Sequence, residues 1–95
     1  MNSQDNELSE LREKITAVDN SIIESLAKRM DLVEKVGNYK RSHNMEALDE
    51  TRRDELKKAW IERGAALHLP ASLVLGIFEL IHKHSVSREQ QGSKS

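Results

Sequence analysis

The fold is decided by residues 8–41, LSELREKITAVDNSIIESLAKRMDLVEKVGNYKR. Apolar residues recur in this stretch at every third or fourth position: Leu8, Leu11, Ile15, Val18, Ile22, Leu26, Met30, Val33 and Val36. This spacing is that of one face of an α-helix and differs from the alternation of a strand. The stretch contains no proline, and its single glycine lies near the end. We therefore predict one long, uninterrupted helix.

The predicted helix is too long for a small monomeric domain. At about 1.5 Å per residue it would extend roughly 50 Å. A compact domain of this size has a radius of gyration of only about 12 Å, so its diameter is near 30 Å. A chain of 95 residues also buries a limited core by itself. The mismatch predicts a partner chain, most simply a second copy in an interlocked helical homodimer.

The composition favours a helical protein and excludes several functions. Charged residues make up 33% and aromatic residues 3% of the chain, with one proline, as in helical bundles. There is no cysteine, which excludes disulfides and thiolate zinc sites. The net charge of −1 comes from interspersed acidic and basic residues, which argues against nucleic-acid binding. No signal-peptide core or membrane-length apolar run is visible, so we expect a soluble, cytoplasmic protein.

Local signals divide the rest of the chain into two shorter helices. Residues 42–48 lack clean periodicity, and Asn44 is a typical helix terminator. Asp49 is a favourable N-cap for a second helix. Pro70 suits the first position of a third helix, where its missing N–H has no cost. The predicted fold class is all-α, with three helices per chain and a long first helix. The predicted organisation is a flexible N-terminus, one helical domain and a disordered tail, at residues 1–7, 8–90 and 91–95.

Two cations interrupt the apolar side of the first helix. The spacing that links Leu8, Ile15 and Ile22 continues to Arg29, where an apolar residue is expected. Lys40 follows Arg29 by eleven residues, which returns to within about 20° of the same direction. Such inward cations require a counter-charge or an anionic ligand. The pattern by itself allows either snorkelling and an interhelical ion pair or an anion-binding pocket.

Other polar residues leave the same choice open. Arg12 is rotated roughly 100° from Arg29 on the helix, so it would serve a second chain or simply lie in solvent. Ser85 and Glu89 end the apolar stripe of the third helix, either as part of an anion site or as its solvated end. His82 and His84 are two positions apart and point to different sides of a helix, so they do not form a metal pair. We therefore predict no metal site.

The combination of motifs resembles the all-α chorismate mutases over roughly residues 8–90. The matching segments, listed in chain order, are Leu11-Arg12-Glu13-Lys14-Ile15, Val18-Asp19, Leu26-Ala27-Lys28-Arg29-Met30, Val36-Gly37-Asn38-Tyr39-Lys40, Asp49 with Arg52, Leu69, Phe78-Glu79-Leu80-Ile81 and Ser85-Val86. The resemblance implies an intertwined homodimer of three-helix chains with active sites shared between the chains. It also implies the conversion of chorismate to prephenate, a Claisen rearrangement in phenylalanine and tyrosine biosynthesis that needs no cofactor.

The resemblance also implies a set of site residues. Lys40 resembles the lysine that donates to the ether oxygen of the breaking bond, and Glu89 stands where the second donor is expected. Arg52 resembles a catalytic arginine that lines the pocket. The residues that would bind the substrate are Arg29, Asp49, Arg53, Ser85 and Arg12 of the other chain. A dianionic substrate would explain inward cations, since guanidinium forks suit carboxylates.

Two positions depart from the family pattern. Glu89 stands where the family often has glutamine, and a carboxylate can only accept hydrogen bonds. Glu89 must therefore carry a proton to donate, so we expect activity to decline as pH rises and Glu89→Gln to flatten the profile. Arg53 stands where a glutamate commonly lies near the substrate's ring hydroxyl, and either Asp49 or Glu50 is a possible substitute.

Other functions remain compatible with these residues. An isochorismate pyruvate-lyase or an amino-chorismate mutase would share the fold, although an arginine at position 53 is a poor neighbour for an ammonium group. A catalytically silent dimeric module is the alternative from another class. An assembly module would gain more from an apolar residue at position 29, which favours the enzyme.

Overall fold

The protein is all-α over the residues that the structure describes, 3–46 and 49–91 of this computed structural model. Helix α1 spans Ser3–Ser42, α2 spans Glu50–Ala66 and α3 spans Ala71–Gln91. No strand occurs within the described ranges. The predicted fold class, with three helices and a long first one, is confirmed.

The helix boundaries differ slightly from those expected. Helix α1 begins at Ser3, earlier than the start expected near Leu8. Pro70 precedes α3 and occupies its N-cap position, because its carbonyl accepts hydrogen bonds from the amides of Leu73 and Val74 at 3.1 and 3.2 Å. Its fixed φ still suits a helix start. Of the expected C-terminal tail, residues 92–95 lie outside the described residues, as do residues 1 and 2 of the expected flexible N-terminus.

The first two helices end in the same way, with a residue in the left-handed region. Asn44 has φ 54°, and the Met45 amide donates to the carbonyl of Lys40 at 2.7 Å. His68 has φ 63°, and the Leu69 amide donates to the Gly64 carbonyl at 2.9 Å. These are Schellman-type bonds, which satisfy carbonyls that lack a partner within the helix. The prediction that Asn44 terminates the first helix is confirmed.

Asp49 caps the second helix, as predicted. Its backbone is extended, and its carboxylate accepts a hydrogen bond from the Arg52 amide at 3.0 Å. Aspartate at this position satisfies one of the free amides of the first turn and complements the helix dipole. The start of α2 could therefore be predicted from the sequence, because an N-cap acts only on the first turn of its own helix.

The chain divides by its contacts into two units, residues 1–31 and 32–95. The first unit consists of the N-terminal part of α1. Five of its apolar side chains follow the predicted spacing and are exposed, with Ile15 at 60%: Leu8, Leu11, Ile15, Val18 and Ile22. A row of exposed aliphatic side chains on one helix face is the usual sign of an interaction surface.

The second unit contains the end of α1 together with α2 and α3. Its core lies between α2 and α3, where Val74 and Phe78 are buried and Phe78 is only 1% exposed. The ring of Trp60 packs edge-on against Phe78 with the centroids 5.3 Å apart. Gly64 is buried against Val74, so it allows close packing of α2 against α3. This core holds α3 in place for the polar contacts at its C-terminal end.

Two glycines provide a matched test of the α2–α3 packing. A Cβ at Gly64 would lie 2.6 Å from Cγ2 of Val74, whereas a Cβ at Gly76 on α3 would meet nothing within 4 Å. Gly64→Ala is expected to lower the free energy of unfolding by about 1–2 kcal/mol, since overpacking outweighs the better helix propensity of alanine. Gly76→Ala should raise it by about 0.5–1 kcal/mol. Urea denaturation measures both, and a Gly64→Ala protein as stable as wild type would contradict the packing.

Candidate active site

Lys40 and Glu89 form an ion pair between the ends of α1 and α3. Lys40 Nζ lies 3.2 Å from Glu89 Oε1, and the two side chains are only 19% and 15% exposed. Oε1 has no well-aligned hydrogen bond among the described residues, so the contact is mainly electrostatic. Charges this sheltered from water are stable only with a counter-charge. A cation and a carboxyl group are thus held together away from bulk solvent.

Close packing of α1 against α3 brings this pair together. Gly37 is buried, and a Cβ there would lie 2.8 Å from the carbonyl oxygen of Glu89 and 3.0 Å from its Cα. Any larger residue at position 37 would push the two helices apart. The Arg41 guanidinium donates to the same Glu89 carbonyl at 2.7 Å. The last turns of α1 therefore contact both the backbone and the side chain of Glu89.

Ser85 lies one helical turn before Glu89 and is buried. Its hydroxyl donates to the carbonyl of Ile81 at 2.7 Å. This bond uses the hydroxyl's single proton, although the oxygen can still accept. Ser85 would have to rotate its hydroxyl to donate to a ligand carboxylate.

Arg52 and Arg53, although adjacent in sequence, have different environments. Arg52 is exposed, on the first turn of α2 beside the Asp49 cap. Arg53 Nη2 donates to both carboxylate oxygens of Glu79 on α3, at 3.0 and 2.7 Å. Lys57 adds a longer contact, with its Nζ 3.7 Å from Glu79 Oε1. Arg53 is therefore held by α3, and Arg52 presents its guanidinium to solvent.

Arg12 and Arg29 belong to the other unit, residues 1–31. Arg12 is exposed, and its backbone carbonyl accepts a hydrogen bond from the hydroxyl of Thr16 at 3.1 Å. Arg29 is half-buried, and desolvation lowers the pKa of its guanidinium from the usual value. Arginine nevertheless stays protonated at neutral pH. Arg29 is thus a sheltered cation and Arg12 a solvent-exposed one.

The comparison with known families settles the classification. The sequence profile described as chorismate mutase type II matches residues 11–90. This range covers all of α2, α1 from Leu11 onward and α3 up to its last residue but one. The chain belongs to the chorismate mutase type II family.

Three curated relatives are much longer than this chain. The bifunctional chorismate mutase/prephenate dehydratase of Escherichia coli (strain K12) is 35% identical over 88 residues, which are 93% of this chain and 23% of that protein. The namesake from Shigella flexneri is equally similar. The T-protein of Enterobacter agglomerans is 28% identical over 83 residues, which are 87% of this chain and 22% of that protein. The chain spans less than a quarter of the length of these relatives.

Within the chorismate mutase framework, the structure brings together some of the expected site residues. Lys40 and Glu89 form a pair between α1 and α3, and the buried Ser85 lies one helical turn before Glu89. Asp49 acts as a helix cap, and its predicted role toward substrate stays a prediction. Sequence reasoning missed Glu79 and Arg41, because the partners of both lie far away in sequence. The departure at position 53 was visible in the sequence, but the pairing of Arg53 with Glu79 on α3 was not.

Two kinds of feature are absent from the described part of the chain. No cluster of three or more histidine and acidic side chains there could hold a metal ion. None of the helices, over the residues described, is both long and apolar enough to cross a membrane.

Proposed function

We propose that this protein is a chorismate mutase that converts chorismate to prephenate. The reaction breaks the ether C–O bond and forms a C–C bond within one molecule, so substrate and product are isomers. It needs no nucleophile, no general base and no cofactor. The observation that carries the proposal is the sheltered Lys40–Glu89 pair, 3.2 Å apart, in a chain of the chorismate mutase type II family.

Lys40 and Glu89 are proposed to act on the ether oxygen. Negative charge develops on that oxygen as the C–O bond breaks, and a preorganised ammonium stabilises it more strongly in a sheltered site than in water. Protonated Glu89 would supply a second donor at the same atom. Close packing of the two helices at Gly37 holds Lys40 and Glu89 near each other, so their relative position is preorganised.

The arginines are proposed to hold the two carboxylates of chorismate. Arg29 and Arg12 of the partner chain would bind carboxylates, with Arg52 lining the pocket near the substrate. Arg29 and Lys40 are assigned to one site by their spacing in the sequence and by the family resemblance. Ser85 would act near a carboxylate. Bidentate contacts from arginines would hold chorismate in its folded, reactive conformation. This orientation accelerates a unimolecular rearrangement.

Asp49 and Arg53 are proposed to act at the ring hydroxyl. Arg53 is held by Glu79, so the pair replaces the carboxylate common in the family with a donor anchored on α3. A guanidinium donates to a hydroxyl oxygen but repels an ammonium group, which favours chorismate over an amino analogue.

The proposed active unit is a cytoplasmic homodimer with two shared sites. Two separate observations support the dimer. The unit of residues 1–31 leaves its aliphatic row exposed. The second unit leaves an apolar groove of about 470 Å³ open, lined by residues of α2 and α3 that include Leu56, Trp60, Val74 and Ile77. Burying such surfaces in a second copy would supply the core that a chain of this size lacks.

A charge in the aliphatic row tests the dimer. Ile15→Asp is expected to shift the protein from dimer to monomer at micromolar concentration, because an unpaired carboxylate in an apolar interface is strongly unfavourable. Sedimentation velocity measures the change, and mutase activity should fall with the loss of dimer. Asn20→Asp adds the same carboxylate on the opposite side of α1 and should leave the dimer intact. A dimeric Ile15→Asp protein would contradict this interface.

The activity is tested by incubating the purified protein with chorismate and following the loss of its ultraviolet absorbance. Prephenate as the product supports the proposal. Isochorismate is run in parallel, and release of pyruvate from it would identify an isochorismate pyruvate-lyase. Rearrangement of amino-chorismate would identify an amino-chorismate mutase. No turnover of any of the three would indicate a silent dimeric module.

A further inference from the structure

Arg41, directly after Lys40 in sequence, holds the C-terminal end of α3. Its Nη1 donates to the backbone carbonyl oxygen of Glu89 at 2.7 Å. Its Nη2 donates to the side-chain oxygen of Asn38, one turn earlier on α1. The Arg41 side chain is half-buried, so this contact is sheltered from water. None of the site roles proposed above involves Arg41.

The carbonyl of Glu89 lies in the last turn of α3 as the structure describes that helix, Ala71–Gln91. The last carbonyls of a helix are the ones to which a side chain from another helix can donate. A cation at this end also complements the helix dipole. Arg41 therefore donates to a carbonyl that would otherwise accept a hydrogen bond from water. Its bond is charge-assisted, which makes it stronger than a bond between neutral groups.

Gly37 allows this contact to form at short range. A Cβ at position 37 would come within 2.8 Å of the same carbonyl oxygen. The close approach and the arginine contact thus converge on one atom of α3. Gly37 permits the helices to meet, and Arg41 holds them there.

Two neighbouring residues of α1 therefore hold one residue of α3 at two points. Lys40 contacts the carboxylate of Glu89 at 3.2 Å, and Arg41 contacts its carbonyl at 2.7 Å. Glu89 lies two residues from the end of its helix, where helices fray and local opening requires little free energy. Without the backbone contact, the carboxyl group would be positioned only by its ion pair.

We infer that Arg41 is a positioning residue that fixes the Glu89 backbone and so preorganises the Lys40–Glu89 pair. The inference rests on the proposed function, in which that pair acts at the ether oxygen. Arg41 is assigned no contact with substrate. It acts through Glu89, and its loss should reduce kcat much more than it raises KM, because displacement of a catalytic group by about 1 Å can cost on the order of 10²-fold in rate.

The first experiment compares Arg41→Met with Arg41→Lys in the full chain. Methionine keeps the length and apolar stem but donates no hydrogen bond, so kcat for chorismate is expected to fall by about 10–10²-fold with KM nearly unchanged. Lysine restores one charged donor but lacks the paired N–H donors of a guanidinium, so it should recover part of the lost kcat. Lys35→Met, an exposed position on the same helix, is the matched control and should keep wild-type kcat.

A double-mutant cycle separates positioning from a general structural role. If Arg41 acts through the Glu89 side chain, Arg41→Met should have little further effect on kcat in a Glu89→Ala background. The same loss in both backgrounds would overturn the inference, as would a wild-type kcat in the single Arg41→Met variant.

Hydrogen–deuterium exchange tests the anchor independently of turnover. Amides of residues 82–91 should exchange faster in Arg41→Met than in wild type and Lys35→Met, with the rest of α3 unchanged. Unchanged exchange in an active enzyme overturns the role of Arg41 alone. A wild-type chain that does not turn over chorismate overturns the proposed function, and the catalytic role of Arg41 with it, even if the exchange result shows the anchor.

Discussion

Replacement of Lys40 by methionine is expected to lower kcat for chorismate by about 10²–10³-fold, the usual effect of removing one preorganised donor from a developing oxyanion. Methionine retains the length of the side chain but cannot donate. KM should change much less than kcat, since the proposed contact strengthens only as the ether bond breaks. Steady-state kinetics on chorismate at saturating concentration measures the effect.

The structure shows which control this experiment needs. Removing the ammonium leaves the Glu89 carboxylate without its counter-charge while only 15% exposed, which by itself destabilises the fold. The double variant Lys40→Met with Glu89→Gln removes both charges, so it should recover stability in thermal denaturation but not activity. Lys35→Met controls for loss of a surface cation on α1. A folded Lys40→Met protein with wild-type kcat would exclude Lys40 from catalysis.

The second large effect is expected at Glu89 and depends on pH. The carboxyl group donates to the ether oxygen only when protonated, so its active form is the one that dominates at lower pH. The rate should therefore be highest in the acidic range and fall as pH rises. Glu89→Gln carries amide donors at every pH, so its profile should be flat and its rate above wild type in the alkaline range by about 10-fold or more.

The pH dependence is tested separately for the free enzyme and for its substrate complex, because a bound dianion adds negative charge near the Lys40–Glu89 pair. Measurement of kcat and kcat/KM from acidic to mildly alkaline pH separates these contributions, since kcat reports the complex and kcat/KM the free enzyme. Glu62→Gln, at an exposed position on α2, should leave the profile unchanged. A wild-type rate independent of pH would exclude Glu89 as a protonated donor.

The helical part of the fold was readable because its signals are local. The spacing of apolar residues in α1, the Asp49 cap and the Asn44 terminator each depend on residues within about one turn of each other. Boundaries were less accurate, as with the early start of α1 at Ser3, because polar residues can extend a helix once an adjacent turn has formed.

The candidate site was predictable in residue type but not in pairing. The interruption of the apolar pattern identified Arg29 and Lys40 as unusual cations, and the resemblance assigned roles to them. Neither could show that Lys40 would contact Glu89, since periodicity defines the side of a helix but not the residue packed against it. The Arg53–Glu79 pair was hidden for the same reason: it joins positions 26 residues apart on different helices.

The sequence by itself determined the helical class, the main helix ends and the family to which the chain belongs, because these follow from spacing and from residue chemistry along one segment. Only the tertiary structure decided that Gly37 lets α3 approach α1, that Arg41 anchors the Glu89 backbone, and that Arg53 is held by Glu79. Those contacts depend on the distance between helices, which is set by packing of side chains far apart in the chain. The sequence predicted the aliphatic row of α1 from the spacing of its residues. The sedimentation experiment tests whether this row packs against a second chain.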